Sequence, residues 1–161
     1  MMIRATEDIL LVKNNVFTLT PVLLSFYDGC SIKEDNLFLS FIVFPMMFNE
    51  EWNVNKQPFR VDSTLELWKE NSRLNLKGLP SRMAYFRDIT LKCLQYGIDM
   101  GWIVIEKTIV NVVEERKKEW KKSKIYSEQM ANARNFNKLL TGKSVAQIYI
   151  TLDIKEIWKQ E

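Results

Sequence analysis

The stretch QYGIDMGWIVIEKTIVNVVEERKKEW, residues 95–120, decides the fold of this chain. Its first part continues a helical pattern that ends at Gly97 or Gly101, since glycine is a frequent helix stop. Two short runs rich in β-branched residues follow, WIVIEK and TIVNVVEE, and they predict two strands. The turn between them falls near residues 106–108, where no Asn-Gly pair marks it. The stretch therefore predicts a long helix that leads into a β-hairpin and then into a dense run of charge.

The helix before the hairpin has the clearest periodicity in the chain. Pro80 stands at its start, where a missing amide donor costs nothing. The residues of one face then follow at alternating spacings of three and four, which predicts that this face is buried. They are Met83, Phe86, Thr90, Cys93, Gly97 and Met100. Arg82, Arg87 and Lys92 fall off this face, so we expect an amphipathic helix.

Two further helices are predicted upstream. Thr20 and Pro21 fit an N-cap followed by a first-turn proline, and this helix stops at Gly29. The stretch LFLSFIVFPMMF, residues 37–48, is apolar on every side, which indicates a helix in the middle of the fold. Pro45 is expected to kink this helix or to end its regular part. The stretch is too short to cross a bilayer, which needs about 20 residues.

Polar residues mark other boundaries. Asp35 or Asn36 is available to cap the apolar helix. A loop is predicted over residues 49–62, and residues 63–66 then fit a capping box that opens a short helix, with Asp62 as a competing cap. The elements predicted last are an amphipathic helix YSEQMANARNFNKLL, a stop at Thr141-Gly142, and a short helix VAQIYITL capped by Ser144.

These elements predict one domain over residues 1–161, mainly α with one β-hairpin (α+β). Helices followed by a helix–strand–strand unit are typical of the winged variant of helix-turn-helix. We therefore expect a winged-helix-like core over residues 14–115, a basic linker over residues 116–124 and a C-terminal helical segment over residues 125–161. The hairpin could then be a wing that reads DNA or a surface that binds another protein.

The chain contains no histidine. This excludes histidine-based acid–base catalysis, Ser-His and Cys-His nucleophile pairs, and most zinc or iron sites. Cys30 and Cys93 have no metal-ligand spacing. The pairs Glu50-Glu51 and Glu114-Glu115 could hold Mg²⁺ only if neighbouring side chains converged, which regular elements do not allow. We expect no catalytic residue, no cofactor and no metal.

The sequence TGKS at residues 141–144 resembles the end of a Walker A loop. That loop needs a glycine at position 137, where Asn137 stands, and a strand before it, where a helix is predicted. A glycine helix stop followed by a serine cap explains the same residues. We do not expect a nucleotide-binding loop here.

Net charge is +3 and the pI is about 8.8, which is mildly basic. A committed nucleic-acid-binding domain usually has a pI above about 9. The positive charge is concentrated at residues 116–124, where a single acid, Glu119, accompanies six cations. A run of this kind can neutralise phosphates or serve as a solvated linker. The six DNA-contact candidates are Arg116, Lys117, Lys118, Lys121, Lys122 and Lys124.

Large aromatic side chains are the second set of candidates. Trp102 and Trp120 are expected to pack on the fold. Trp52 and Trp68 lie in and beside polar segments, so we take them as candidate partner contacts, because tryptophan is enriched at interface hot spots. Two cysteines without a CxxC pair and an N-terminus without a secretory apolar run fit a cytoplasmic protein that does not enter the membrane.

In this layout the sequence resembles the small middle component of three-component ABC-ATPase systems, the group that includes the Lamassu anti-phage and anti-plasmid operons. The resemblance covers about residues 14–155. It is carried by Asn15-Val16-Phe17 at the first helix, by VFPMMF, by Trp68 in a short capped helix, by RMAYFRDITLKCLQYGIDMGWI before the hairpin, and by ANARNFNKLLTGKSVAQIYITLDIK. Asp153 departs from the pattern, since a glycine is expected before the final short element.

The resemblance implies a non-enzymatic adaptor. In such systems the middle subunit joins an SMC-like ABC ATPase dimer to an effector subunit, often a nuclease, and the assembled complex senses foreign DNA. The main alternative from the residues is a winged-helix DNA-binding transcriptional regulator. An enzyme that uses carboxylates and Mg²⁺ is a more distant one.

Overall fold

The computed structural model describes residues 15–49, 64–71 and 76–154. Two short 3-10 helices accompany the elements of these ranges, at Asn36–Leu39 and Glu114–Arg116. In chain order the α-helices and strands are α1 (Val16–Tyr27), α2 (Ser40–Met47), α3 (Leu65–Asn71), α4 (Leu79–Asp99), β1 (Ile103–Glu106), β2 (Ile109–Val112), α5 (Lys117–Lys121), α6 (Ser127–Leu139) and α7 (Val145–Thr151).

Helix α1 begins more than one turn before the predicted start. Asn15 is its N-cap, and the Asn15 side-chain oxygen accepts a hydrogen bond from the Phe17 N–H at 2.9 Å. Pro21 therefore lies inside the helix, and the predicted Thr20–Pro21 cap is wrong. The extra turn buries Leu19 and Thr20. This burial offsets the backbone hydrogen bond that the proline cannot make.

Helix α2 is buried along most of its length, as its apolar sequence predicts. It ends two residues after Pro45, and the Arg82 guanidinium donates to the carbonyls of Pro45 and Phe48 at 3.2 and 2.6 Å. The expectation that Asp35 or Asn36 caps this helix is wrong. Asp35 makes no side-chain cap, and the Asn36 side chain bonds elsewhere.

Helix α4 confirms the predicted face. Leu79, Met83, Phe86, Thr90, Cys93, Leu94 and Gly97 are buried, and Met100 is half-buried at the end of the helix. The Thr90 hydroxyl donates to the Phe86 carbonyl at 2.8 Å, so this polar group is satisfied inside the core. The face packs against α1 and α2.

The hairpin forms where the sequence predicts it. Strands β1 and β2 pair antiparallel, from Ile103 opposite Val112 to Glu106 opposite Ile109. The turn is Lys107-Thr108, and Lys107 takes a left-handed φ of 57°. This conformation is unusual for a non-glycine residue.

A side chain fixes the hairpin to the helices. The Asn36 side chain accepts from the Val110 N–H at 2.7 Å and donates to the Val110 carbonyl at 3.2 Å. It therefore pairs with the outer edge of β2 as a neighbouring strand would. The Leu37 N–H also donates to the Thr108 carbonyl at 2.9 Å. Asn36 is fully buried, so the segment between α1 and α2 is locked to the hairpin.

The C-terminal helices pack back on the same core. Helix α6 lies along α1, and Ser144 caps α7, as predicted. The Gln147 side chain completes a capping box there. Asp153 has a φ of 59°. Glycine adopts this conformation most readily, and aspartate is one of the few other residues that tolerate it. The departure at Asp153 therefore keeps the backbone conformation that a glycine would take.

The fold is mainly helical with a two-stranded antiparallel hairpin, which confirms the predicted α+β class. One hydrophobic core joins α1, α2, α4 and α6 with the inner face of the hairpin. Among the helices that the structure describes, none is both long enough and apolar enough to cross a bilayer.

Candidate interaction surface

The predicted basic linker is largely helical. Residues 114–116 form a 3-10 turn that continues directly into the five-residue helix α5. Trp120 is only 1% exposed and holds α5 against the fold, as expected for this tryptophan. Because α5 has a fixed orientation, the lysines of residues 117–124 divide into an inner pair and three outer lysines.

The inner pair, Lys117 and Lys121, is one helical turn apart and binds Asp28 at the end of α1. The Lys117 Nζ lies 2.5 Å from Asp28 Oδ1, and the Lys121 Nζ lies 2.7 Å from Asp28 Oδ2. Lys117 also contacts Glu114 at 2.6 Å. The Asp28 side chain is only 9% exposed, so this contact is more than a surface ion pair.

Electrostatics at Asp28 favour its charged form. Burial alone would raise the pKa of Asp28, but the hydrogen bonds from Lys117 and Lys121 outweigh it and hold the pKa below its ordinary value. The Lys117 ammonium has a raised pKa, because it bonds to Asp28 and then to Glu114. Two cations and two carboxylates meet here, so this face of α5 has little net charge.

Arg116 is engaged in a second pair. Its guanidinium contacts both carboxylate oxygens of Glu119, with Nε 2.7 Å from Oε2 and Nη2 2.9 Å from Oε1. Glu119 Oε1 also accepts from Trp102 Nε1 at 3.3 Å. Trp102 is buried at the start of the hairpin, as expected. Glu119 therefore links α5 to the start of the hairpin, and Gly101 passes directly beside Arg116.

The outer lysines are Lys118, Lys122 and Lys124, and all three are exposed. Lys118 lies on the side of α5 that faces solvent, and Lys122, the C-cap of the helix, follows it one turn later. They make no ion pair within residues 15–49, 64–71 and 76–154. Of the six predicted DNA-contact residues, these three are outside the ion pairs of this segment, although the charge of Lys122 also helps to lower the pKa of Glu119.

The two tryptophan candidates have different outcomes. Trp52 lies outside the described residues. Trp68 is only 5% exposed, and its ring packs 6.5 Å from that of Phe136 in α6. Trp68 thus helps to anchor α3. Its role as a partner contact, which was inferred from its polar sequence neighbours, stays a prediction. The exposed large apolar residues are Phe17, Leu67, Tyr85, Leu91, Ile98, Val104, Ile125 and Ile150.

The sequence TGKS follows helix α6 rather than a strand. Gly142 takes a left-handed φ of 83°, and the Lys143 ammonium pairs with Glu66 of α3. Glu66 also lines an open cleft with Lys69, Glu70 and Thr151. Among the described residues there is no cluster of three metal-binding side chains. Glu114 and Glu115 both lie in the exposed 3-10 turn, and Glu114 is held by Lys117.

Two residues of this surface were missed by sequence reasoning. Asp28 follows a helix and looks like an ordinary polar end residue, and its partners lie far away in the chain. Glu119 was noted only as the acid that interrupts a basic run. Its position three residues after Arg116 is a helix-compatible spacing and could have suggested the pair.

Comparison with known proteins finds one family model that matches nearly the whole chain. Neither the curated proteins nor the solved structures contain a significant match. The family model described as "ABC-three component (ABC-3C) system Middle Component 3" matches residues 3–156. The match covers the helical core, the hairpin and the basic segment. The chain therefore belongs to the Middle Component 3 family of ABC-three component systems and acts with the other components of such a defence system.

Proposed function

We propose that this chain is a non-enzymatic adaptor subunit in a Lamassu-type complex of the bacterial cytoplasm. It joins an SMC-like ABC ATPase dimer to an effector subunit, a nuclease. The observation that carries the proposal is the family match over residues 3–156, because a middle component of a three-component system implies partner components.

The chemistry of the chain supports an adaptor over an enzyme. Histidine is absent from the sequence, and the described acids are exposed or, like Asp28, paired with lysines. The two acids that line the open cleft, Glu66 and Glu70, are both exposed, and Glu66 is paired with Lys143. Several large apolar side chains are exposed instead, with Ile150 at 73% and Phe17 at 64%. Exposed apolar groups are a common feature of surfaces that a partner covers.

A winged-helix DNA-binding regulator is the second candidate. The order of helices followed by a hairpin favours it, and Asn36 occupies the edge of β2 where a winged helix has its third strand. The hairpin itself is poorly suited to read DNA. Its exposed residues are Val104, Glu106, Lys107 and Asn111, whose charges cancel, whereas DNA-contacting elements are usually basic.

Copurification distinguishes the two. The chain would carry an affinity tag and be expressed with the ATPase and effector genes of its own system. The adaptor proposal predicts that both partners are recovered, and that the purified chain alone neither hydrolyses ATP nor cuts DNA. Recovery of a free chain that binds one promoter sequence tightly would instead support the regulator.

A further inference from the structure

Ion pairing divides the lysines of residues 117–124 into two sets that differ in their access to a charged ligand. Lys117 and Lys121 lie on the side of α5 next to α1, where Asp28 and Glu114 balance their charge at 2.5 to 2.7 Å, although the Lys121 side chain is still 42% exposed. Lys118 and Lys122 occupy the outer side, and Lys124 follows the helix. A polyanion that approaches this segment therefore meets the outer lysines, while the inner pair is already neutralised.

We infer that Lys118, Lys122 and Lys124 form a contact surface for the phosphate backbone of double-stranded DNA, and that Asp28 positions this surface by fixing α5 on α1. The inference rests on the proposed function, since the assembled complex would bring this surface to the DNA that it senses. Lys117 and Lys121 are structural residues and do not contact the phosphates.

The composition of the outer face favours DNA over a partner protein. Protein interfaces are depleted in lysine, and their hot spots are mainly tryptophan, tyrosine and arginine. The outer face of α5 presents lysines, and the only cation of the 116–124 segment with a forked head, Arg116, is held by Glu119. Lysine ammonium groups bind phosphates as point charges, and such phosphate contacts do not distinguish one base sequence from another. We therefore expect binding that does not depend on DNA sequence.

Two double variants, which change the charge of the same short segment by the same amount, test whether the outer and inner lysines differ in DNA binding. One carries Lys118→Gln and Lys122→Gln, and the other carries Lys117→Gln and Lys121→Gln. Each is measured in the complex copurified with its partners and as the full-length chain. The probe is a fluorescent duplex oligonucleotide of arbitrary sequence, titrated from about 50 to 200 mM KCl.

The outer variant should bind DNA more weakly, and its plot of log affinity against log salt should flatten by about 1.8, which is about 0.9 for each phosphate that the variant no longer neutralises. Its melting temperature should equal that of the parent. The inner variant should keep the salt slope of the parent and melt at a lower temperature, because Asp28 then stays buried without its partners.

Four results would overturn the inference. They are a parent complex without measurable DNA affinity, an equal loss of slope in both variants, an unchanged slope in the outer variant, and an outer variant that releases its partner subunits while its slope stays the same. The last result would assign the outer face to an acidic protein surface. Copurification is read on the same samples, so failure of the adaptor proposal appears as lost partners in the parent complex, independently of any change in salt slope.

Discussion

Replacing Asn36 with alanine removes the side chain that fixes the hairpin to the helical core. Asn36 is fully buried and makes three hydrogen bonds, to the Val110 N–H, the Val110 carbonyl and the Ile32 carbonyl. Val110 is itself only 2% exposed, and Ile32 only 7%. The substitution therefore leaves the Val110 N–H and carbonyl without partners in a place that water reaches poorly. The Ile32 carbonyl keeps only the Cys30 thiol, a weak donor at 3.7 Å.

Each buried polar group that loses its hydrogen-bond partner costs about 1–3 kcal/mol. We take the lower end, because a carbonyl keeps a second lone pair and the space left by the side chain can admit a water. The expected loss is about 2–3 kcal/mol in the free energy of unfolding. For a chain of this size that lowers the melting temperature by about 4–12 °C.

Thermal and urea unfolding measure this loss, and amide hydrogen exchange at Val110 localises it. Asn111→Ala is the matched control, since Asn111 is the next residue of β2 and its side chain is exposed. The control should change stability by less than about 0.5 kcal/mol. If Asn36→Ala costs no more than Asn111→Ala, the amide does not lock the hairpin and the reasoning fails.

Three further outcomes follow from the described contacts. Asp28→Asn should destabilise the chain by about 1–2 kcal/mol at neutral pH. It should also flatten the acid side of the stability curve, because the lowered pKa of Asp28 gives stability that is lost as pH falls below about 4. Equal acid sensitivity of the parent and the variant in urea titrations would contradict this. Gly101→Ala should cost about 1–2 kcal/mol in thermal unfolding, because its φ is 71°, and the new methyl group should also displace Arg116. Gly29→Ala, at a φ of 78°, carries only the backbone cost. An undiminished melting temperature for both variants would refute the argument. Lys143→Ala should leave the ATPase rate of the complex unchanged, and a large loss of nucleotide binding would restore a phosphate-binding role for TGKS.

Local patterns predicted much of the fold. The buried face of α4, from Met83 to Gly97, follows from a spacing that any amphipathic helix shows, and the hairpin follows from two β-branched runs. The cap at Ser144 was also visible, because a capping box involves residues only three apart. Such features depend on neighbours in sequence, so a single chain reveals them.

Features that depend on distant neighbours were not predictable. Asn36 looked like a helix cap, yet its partner Val110 lies 74 residues away, and its amide bonds to the buried strand edge instead. The basic run looked uniform until α5 was placed against α1, where Asp28 selects two of its lysines. Trp68 was assigned to a surface from its polar sequence neighbours, while its ring packs on Phe136.

A bridging measurement tests the adaptor most directly. The effector subunit would carry the affinity tag, and the ATPase would be quantified in the eluate with and without this chain. The account predicts that the ATPase is recovered with the effector only when the chain is present, in a fixed ratio of the three components. Equal recovery of the ATPase in the absence of the chain would show that the other two components bind each other without a bridge, and that would contradict the account.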